Sequence, residues 1–106
     1  THVVRGADLL DNTERQIWLG QLLGYPQLEY MHLPLAMNGQ GQKLSKQNLA
    51  HALDIHNAPQ LLSQAITALG QHAVDLDQPH KMLAQAVAQW DIQKIPNGTE
   101  IHGIFE

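Results

Sequence analysis

The sequence contains no cysteine, which excludes disulfide staples, thiol nucleophiles and thiolate metal sites among these residues. Aromatic side chains are scarce, at 5% with a single phenylalanine, so any core must be built mainly from aliphatic residues. Positive charge is also sparse. Six lysines and arginines face ten aspartates and glutamates, for a formal net charge of -4. That balance argues against a stand-alone nucleic-acid binder with a broad basic face, while leaving room for one local cationic contact. No apolar run approaches the roughly 18 residues of a membrane-spanning helix. Nor do the first residues form a basic-then-apolar signal sequence. Apolar residues make up 43% of 106 positions, enough for one modest packed domain. A soluble, cytoplasmic, monomeric protein with no membrane partner is expected.

Among the residues present, Lys43-Leu44-Ser45-Lys46-Gln47 is the densest chemical signal. It follows Asn38-Gly39-Gln40-Gly41, turn residues that tolerate positive φ, so the chain should reverse and present both lysines on a mobile arm. An ammonium on a four-carbon stem is a repositionable cation suited to phosphate oxygens. Ser45 can orient the loop by bonding its own backbone. Taken alone, such a Lys-x-x-Lys is more often a solvated polar turn.

The upstream residues give the loop a context. Thr1-His2-Val3-Val4-Arg5-Gly6 reads as a short buried strand, and Asp11-Asn12-Thr13 supplies N-cap candidates for a helix that runs to Leu23 and stops at Gly24. Strand, turn and capped helix form a unit of an α/β nucleotide-binding fold, whose ligands sit beyond the carboxyl ends of the strands. Arg5 occupies that position. Its guanidinium forks naturally onto a carboxylate, the alternative being an ion pair with Asp8 or Asp11. Residues 29–32 and 35–37 read as extended.

Past a seam at 48–54 the pattern becomes helical, dividing the chain into regions 1–50 and 51–106. Pro59 suits a first helical turn, and Leu61, Leu62, Ala65, Ile66 and Leu69 recur at helical spacing until Gly70. Pro79 opens a second helix with Met82, Leu83, Ala86, Val87 and Trp90 expected on its core side. The seven histidines lack the i, i+4 pairing of a helical zinc site, and no metal is expected in this segment. Lys81 and Lys94 read as helix-surface charges, with a local RNA contact as the alternative.

In order and spacing, several blocks resemble the second half of the catalytic domain of the glutamyl- and glutaminyl-tRNA synthetase group. They are His2-Val3-Val4-Arg5-Gly6-Ala7-Asp8-Leu9-Leu10-Asp11-Asn12-Thr13, Arg15-Gln16-Ile17, Leu22-Leu23-Gly24-Tyr25-Pro26, His32-Leu33-Pro34-Leu35 and Lys43-Leu44-Ser45-Lys46-Gln47-Asn48. The last block resembles the branch that glutamylates queuosine in tRNA(Asp) more closely than true glutamyl-tRNA synthetases, which usually carry Lys-Arg-His or a similar run after the serine.

The resemblance implies an α/β fold: the C-terminal part of a class I, Rossmann-like catalytic domain followed by a small helical region, mostly helical within this segment. It implies a ligase that uses ATP with Mg²⁺ to activate L-glutamate for transfer to queuosine-bearing tRNA(Asp). Lys46 and Lys43 of a KMSKS-type loop would be catalytic. ATP would also meet Ser45 and Leu44, Arg5 would bind glutamate, and Asp8 would contact ATP ribose or the amino acid. A His-Ile-Gly-His-like signature and a zinc site would lie in an N-terminal half that this segment lacks, leaving the segment alone inactive. The short tail is expected to leave no room for an anticodon-binding domain. Two alternatives stand beside this reading: a fragment of a discriminating glutamyl-tRNA synthetase charging tRNA(Glu), and a non-catalytic helical interaction module.

Overall fold

The computed structural model describes residues 1–45 and 49–105. Strand β1 (His2–Gly6) passes through a 3-10 turn at Ala7–Asn12 into helix α1 (Thr13–Leu22), and the chain returns as β2 (Glu29–Leu33). β1 and β2 pair in parallel, from His2 opposite Glu29 to Gly6 opposite Leu33. A parallel pair needs such a crossover, so this is a βαβ unit. Helix α1 stops where expected: Gly24 adopts φ +73°, its N–H bonds the Gln21 carbonyl, and the Tyr25 N–H bonds that of Gly20. This left-handed cap satisfies carbonyls that the helix end would otherwise orphan.

Pro34 interrupts the next extended stretch, having no N–H to donate. Beyond it the chain changes partner. Strand β3 (Leu35–Met37) pairs in parallel with β4 (Glu100–His102), so the end of the described chain returns to the N-terminal region. Nothing in the sequence pattern marked 100–102 as a strand; three residues carry too little alternation to register.

Helices α2 (Ala58–Ala68) and α3 (Pro79–Ala88) both begin with proline in the first turn. The main core lies between them, where Ile66, Val74, Met82 and Ala86 are buried and Leu62 packs against the cluster. Met82 is 1% exposed. Gln71 is buried just past α2, and its side-chain amide accepts from the Asp91 N–H and donates to the Leu69 and Asp91 carbonyls. It ties the end of α2 to the segment after α3.

Several expected core residues lie at the surface. Leu83, Val87 and Trp90 are exposed, because Met82 and Ala86 form one i, i+4 stripe and residues one step further round the helix turn away from α2. β1 is not a buried strand either. Val3 is half-buried and Val4 is 61% exposed, since a two-stranded sheet has little to cover its second face. On α1, Trp18, Leu19 and Leu22 are exposed, with Leu23 beyond its end, and the one buried residue is Thr13. The radius of gyration of 16.2 Å exceeds the roughly 13 Å of a compact domain this size, consistent with so much apolar surface remaining uncovered.

Candidate functional site at the carboxyl end of the parallel pair

Strand register builds the site. Arg5 on β1 lies opposite His32 on β2, so the two side chains rise from one face. Tyr30, two residues before His32, shares that face; the rings stack with centroids 6.2 Å apart and planes 9° from parallel. The Arg5 guanidinium lies over the Tyr30 ring, 5.1 Å from its centroid. Arg5 Nε donates to His32 Nε2 at 3.2 Å. As an acceptor that nitrogen carries no proton, so the neutral ring bears its hydrogen on Nδ1.

Thr13 closes the network from above. Its hydroxyl oxygen accepts from Arg5 Nη2 at 2.9 Å, lies 3.0 Å from His32 Nε2 and donates to the Leu9 carbonyl at 3.2 Å. Arg5 Nη2 also reaches the Leu9 carbonyl at 3.4 Å. The expected cap of α1 is therefore different from its sequence reading: Asn12 occupies the N-cap position without a side-chain cap bond, and Thr13 turns inward to the arginine. Neither Asp8 nor Asp11 pairs with Arg5 among the described residues; its polar partners there are neutral. Nη1 makes no hydrogen bond among the described residues, so one edge of the guanidinium is gripped and the other is open.

Asp8 follows β1 by two residues and curls back over Gly6. A Cβ at Gly6 would sit 2.7 Å from Asp8 Oδ1, so glycine is what allows the carboxylate this close. Asp8 accepts from Lys43 Nζ at 2.6 Å. That hydrogen bond, reinforced by the ammonium charge, holds the Asp8 carboxyl below the ordinary aspartate value. The lysine loop is thereby joined to the carboxyl end of β1.

Up to Ser45 the loop is more built than a mobile arm. Asn38 Oδ1 accepts from the Gln40 and Gln42 N–H groups, both at 2.9 Å, and Gly41 turns the chain at φ +75°. Lys43 then bridges antiparallel to Met37, and the Leu44 N–H bonds the Ala36 carbonyl at 2.8 Å. Leu44 and Ser45 are half-buried. Lys46 lies outside the described residues.

A cleft of about 300 Å³ opens beside His32, between β2 and the segment 95–99. Met31 and His32 line this cleft. Among the described residues no group of three His, Asp or Glu side chains is placed to hold a metal ion, and no helix is long and apolar enough to cross a membrane. Lys81 is exposed on α3, whereas Lys94 Nζ lies 2.7 Å from His72 Nε2.

Residues 1–75 match the family of class I tRNA synthetases (E and Q), catalytic domain. The chain belongs to this family. A glutamyl-Q tRNA(Asp) synthetase of Acinetobacter baylyi is 67% identical over 105 residues, covering 99% of this chain and 36% of the relative. One from Neisseria meningitidis serogroup C is 53% identical over 97 residues, covering 91% of this chain and 33% of the relative. One from Vibrio parahaemolyticus is 44% identical over 104 residues, with 95% and 35% covered. The chain thus spans about a third of the length of these relatives. Within the family frame, Thr13 and His32 are the side chains that sequence reading passed over. By sequence Thr13 is a cap candidate and His32 one of seven scattered histidines; only the pairing of positions 5 and 32 brings them together.

Proposed function

We propose that this chain is part of a ligase that activates L-glutamate with ATP and transfers it to queuosine in the anticodon of tRNA(Asp). The observation that carries the reading is the 67% identity, over nearly the whole chain, to a protein named glutamyl-Q tRNA(Asp) synthetase. The geometry supports it by setting an open guanidinium edge and a lysine-bearing loop around the carboxyl end of one strand, where α/β folds take ligands. In this reading the segment is the C-terminal part of a Rossmann-like catalytic domain with a helical continuation.

A glutamate carboxylate oxygen bonds the α-phosphorus of ATP as the bond to the bridging oxygen of pyrophosphate breaks, giving an acyl adenylate. A queuosine hydroxyl then attacks the acyl carbon, loses its proton and displaces AMP, leaving an ester. Arg5 grips substrate carboxylate through its open edge. Lys46 stabilises charge on the phosphoryl group and departing pyrophosphate, with Lys43, Ser45 and Leu44 completing the nucleotide side of the loop. Lys43 and Ser45 form a donor set suited to phosphates, and Mg²⁺ accompanies ATP. Asp8 holds the loop through Lys43 and stands beside the ribose or amino acid. Zinc belongs to the part of the protein beyond this chain. The whole protein works in the cytoplasm as a monomer.

The test exchanges the matching segment of the Acinetobacter relative for this chain and assays glutamate attachment to tRNA(Asp) with and without queuosine. Attachment only to the queuosine form is expected. Charging of both forms, or of tRNA(Glu) alone, would remove the queuosine assignment.

A further inference from the structure

We infer that Thr13 and His32 are positioning residues that aim the Arg5 guanidinium at the substrate carboxylate. The inference rests on the reading of Arg5 as the glutamate-binding group. An arginine side chain has four rotatable bonds, and aiming one edge of its fork means immobilising the other. Here Nε is held by His32, Nη2 by Thr13 and the Leu9 carbonyl, and the flat face rests over Tyr30, while Nη1 is left to a ligand. These contacts come from three separate elements: β2, the first residue of α1 and the turn between β1 and α1.

The chemistry of the holders matters as much as their number. A carboxylate in either place would neutralise the guanidinium and compete with an anionic substrate. A threonine hydroxyl and a neutral imidazole orient it while leaving its charge unspent. Thr13 is only 9% exposed and spends its hydroxyl on this contact instead of on capping α1, which its position at the helix start would otherwise favour. Tyr30 stacks on His32 and fixes the plane of the imidazole, so its Nε2 stays directed at the arginine.

The test uses the Acinetobacter relative carrying this chain as its matching segment, in glutamate-dependent ATP–pyrophosphate exchange. Thr13→Val removes the hydroxyl at constant shape, and His32→Phe keeps the stacked ring while removing the acceptor. Each is expected to raise the glutamate KM by about tenfold or more, the loss of one hydrogen bond to a charged group, with the ATP KM within about twofold. Thr13→Ser should restore the glutamate KM. A purely structural role would lower the active fraction and leave both KM values alone. Melting by circular dichroism checks folding; if Thr13→Val fails to fold, His32→Phe decides. An unchanged glutamate KM in the folded variants, with Arg5→Ala raising it, overturns the positioning role and spares Arg5. An unchanged glutamate KM in Arg5→Ala removes the reading of Arg5 itself, and this inference with it.

Discussion

Lys43 Nζ lies 2.6 Å from Asp8 Oδ2, joining two residues 35 positions apart and fastening the lysine loop to the carboxyl end of β1. Both side chains keep substantial solvent exposure, so the attraction is screened and its contribution to stability is small. Its value is geometric.

The pair makes a pH-dependent contribution of defined sign. The Asp8 pKa is lowered from 3.8 in the fold, so the unfolded chain takes up its proton first as pH falls. The stabilisation is full above the unfolded value and disappears as pH drops through the lower folded value. Asp8→Asn should therefore melt earlier than the parent near neutral pH, with the gap closing below that window and shrinking as salt is raised. A gap indifferent to both pH and salt would show that the ion pair is not its source.

Lys46→Ala tests the phosphate role proposed for the loop. One preorganised cation at the transferring phosphoryl group is typically worth about 3 to 4 kcal/mol, so exchange turnover in the Acinetobacter protein carrying this chain should fall by a factor on the order of hundreds. Undiminished turnover would assign the second lysine to the solvated surface.

Gly70→Ala should destabilise the fold by about 2 kcal/mol or more, measured by urea unfolding. Gly70 sits at φ +72° at the end of α2, and an added Cβ would overlap the Lys94 carbonyl oxygen. Gly24→Ala makes a matched control, with a similar φ of +73° and open space around its Cβ. It should cost only the backbone part, about 1 kcal/mol. Equal losses at the two positions would mean that the Lys94 segment moves aside freely.

Gln71→Leu removes a buried amide that holds both the N–H and the carbonyl of Asp91. Asp91 is half-buried, so leaving its backbone groups without these partners should cost about 1 kcal/mol and lower the urea midpoint accordingly. An unchanged midpoint would indicate that water takes over these bonds without penalty.

Much of the fold was legible because its signals are local. Gly24 and Gly70 end helices through the positive φ that glycine tolerates, and Pro59 and Pro79 start them because a first-turn residue needs no N–H partner. Solvent exposure was not legible in the same way. Leu83, Val87 and Trp90 have the spacing of a core stripe, yet burial depends on whether a second element covers that side, and it is Met82 and Ala86 that are buried in the cluster with Ile66.

The linear order of residues by itself determined where helices begin and stop, that residues 38–41 form a turn, and which family the chain joins. These follow from backbone sterics and from residue types at short spacing. Only the tertiary structure decided that Arg5 meets His32 and Thr13 instead of an aspartate, that Asp8 answers to Lys43, and that residues 100–102 return to pair with β3. Those outcomes depend on parallel register and chain return, which bring together residues 8 to 65 positions apart, and no local preference encodes such distances.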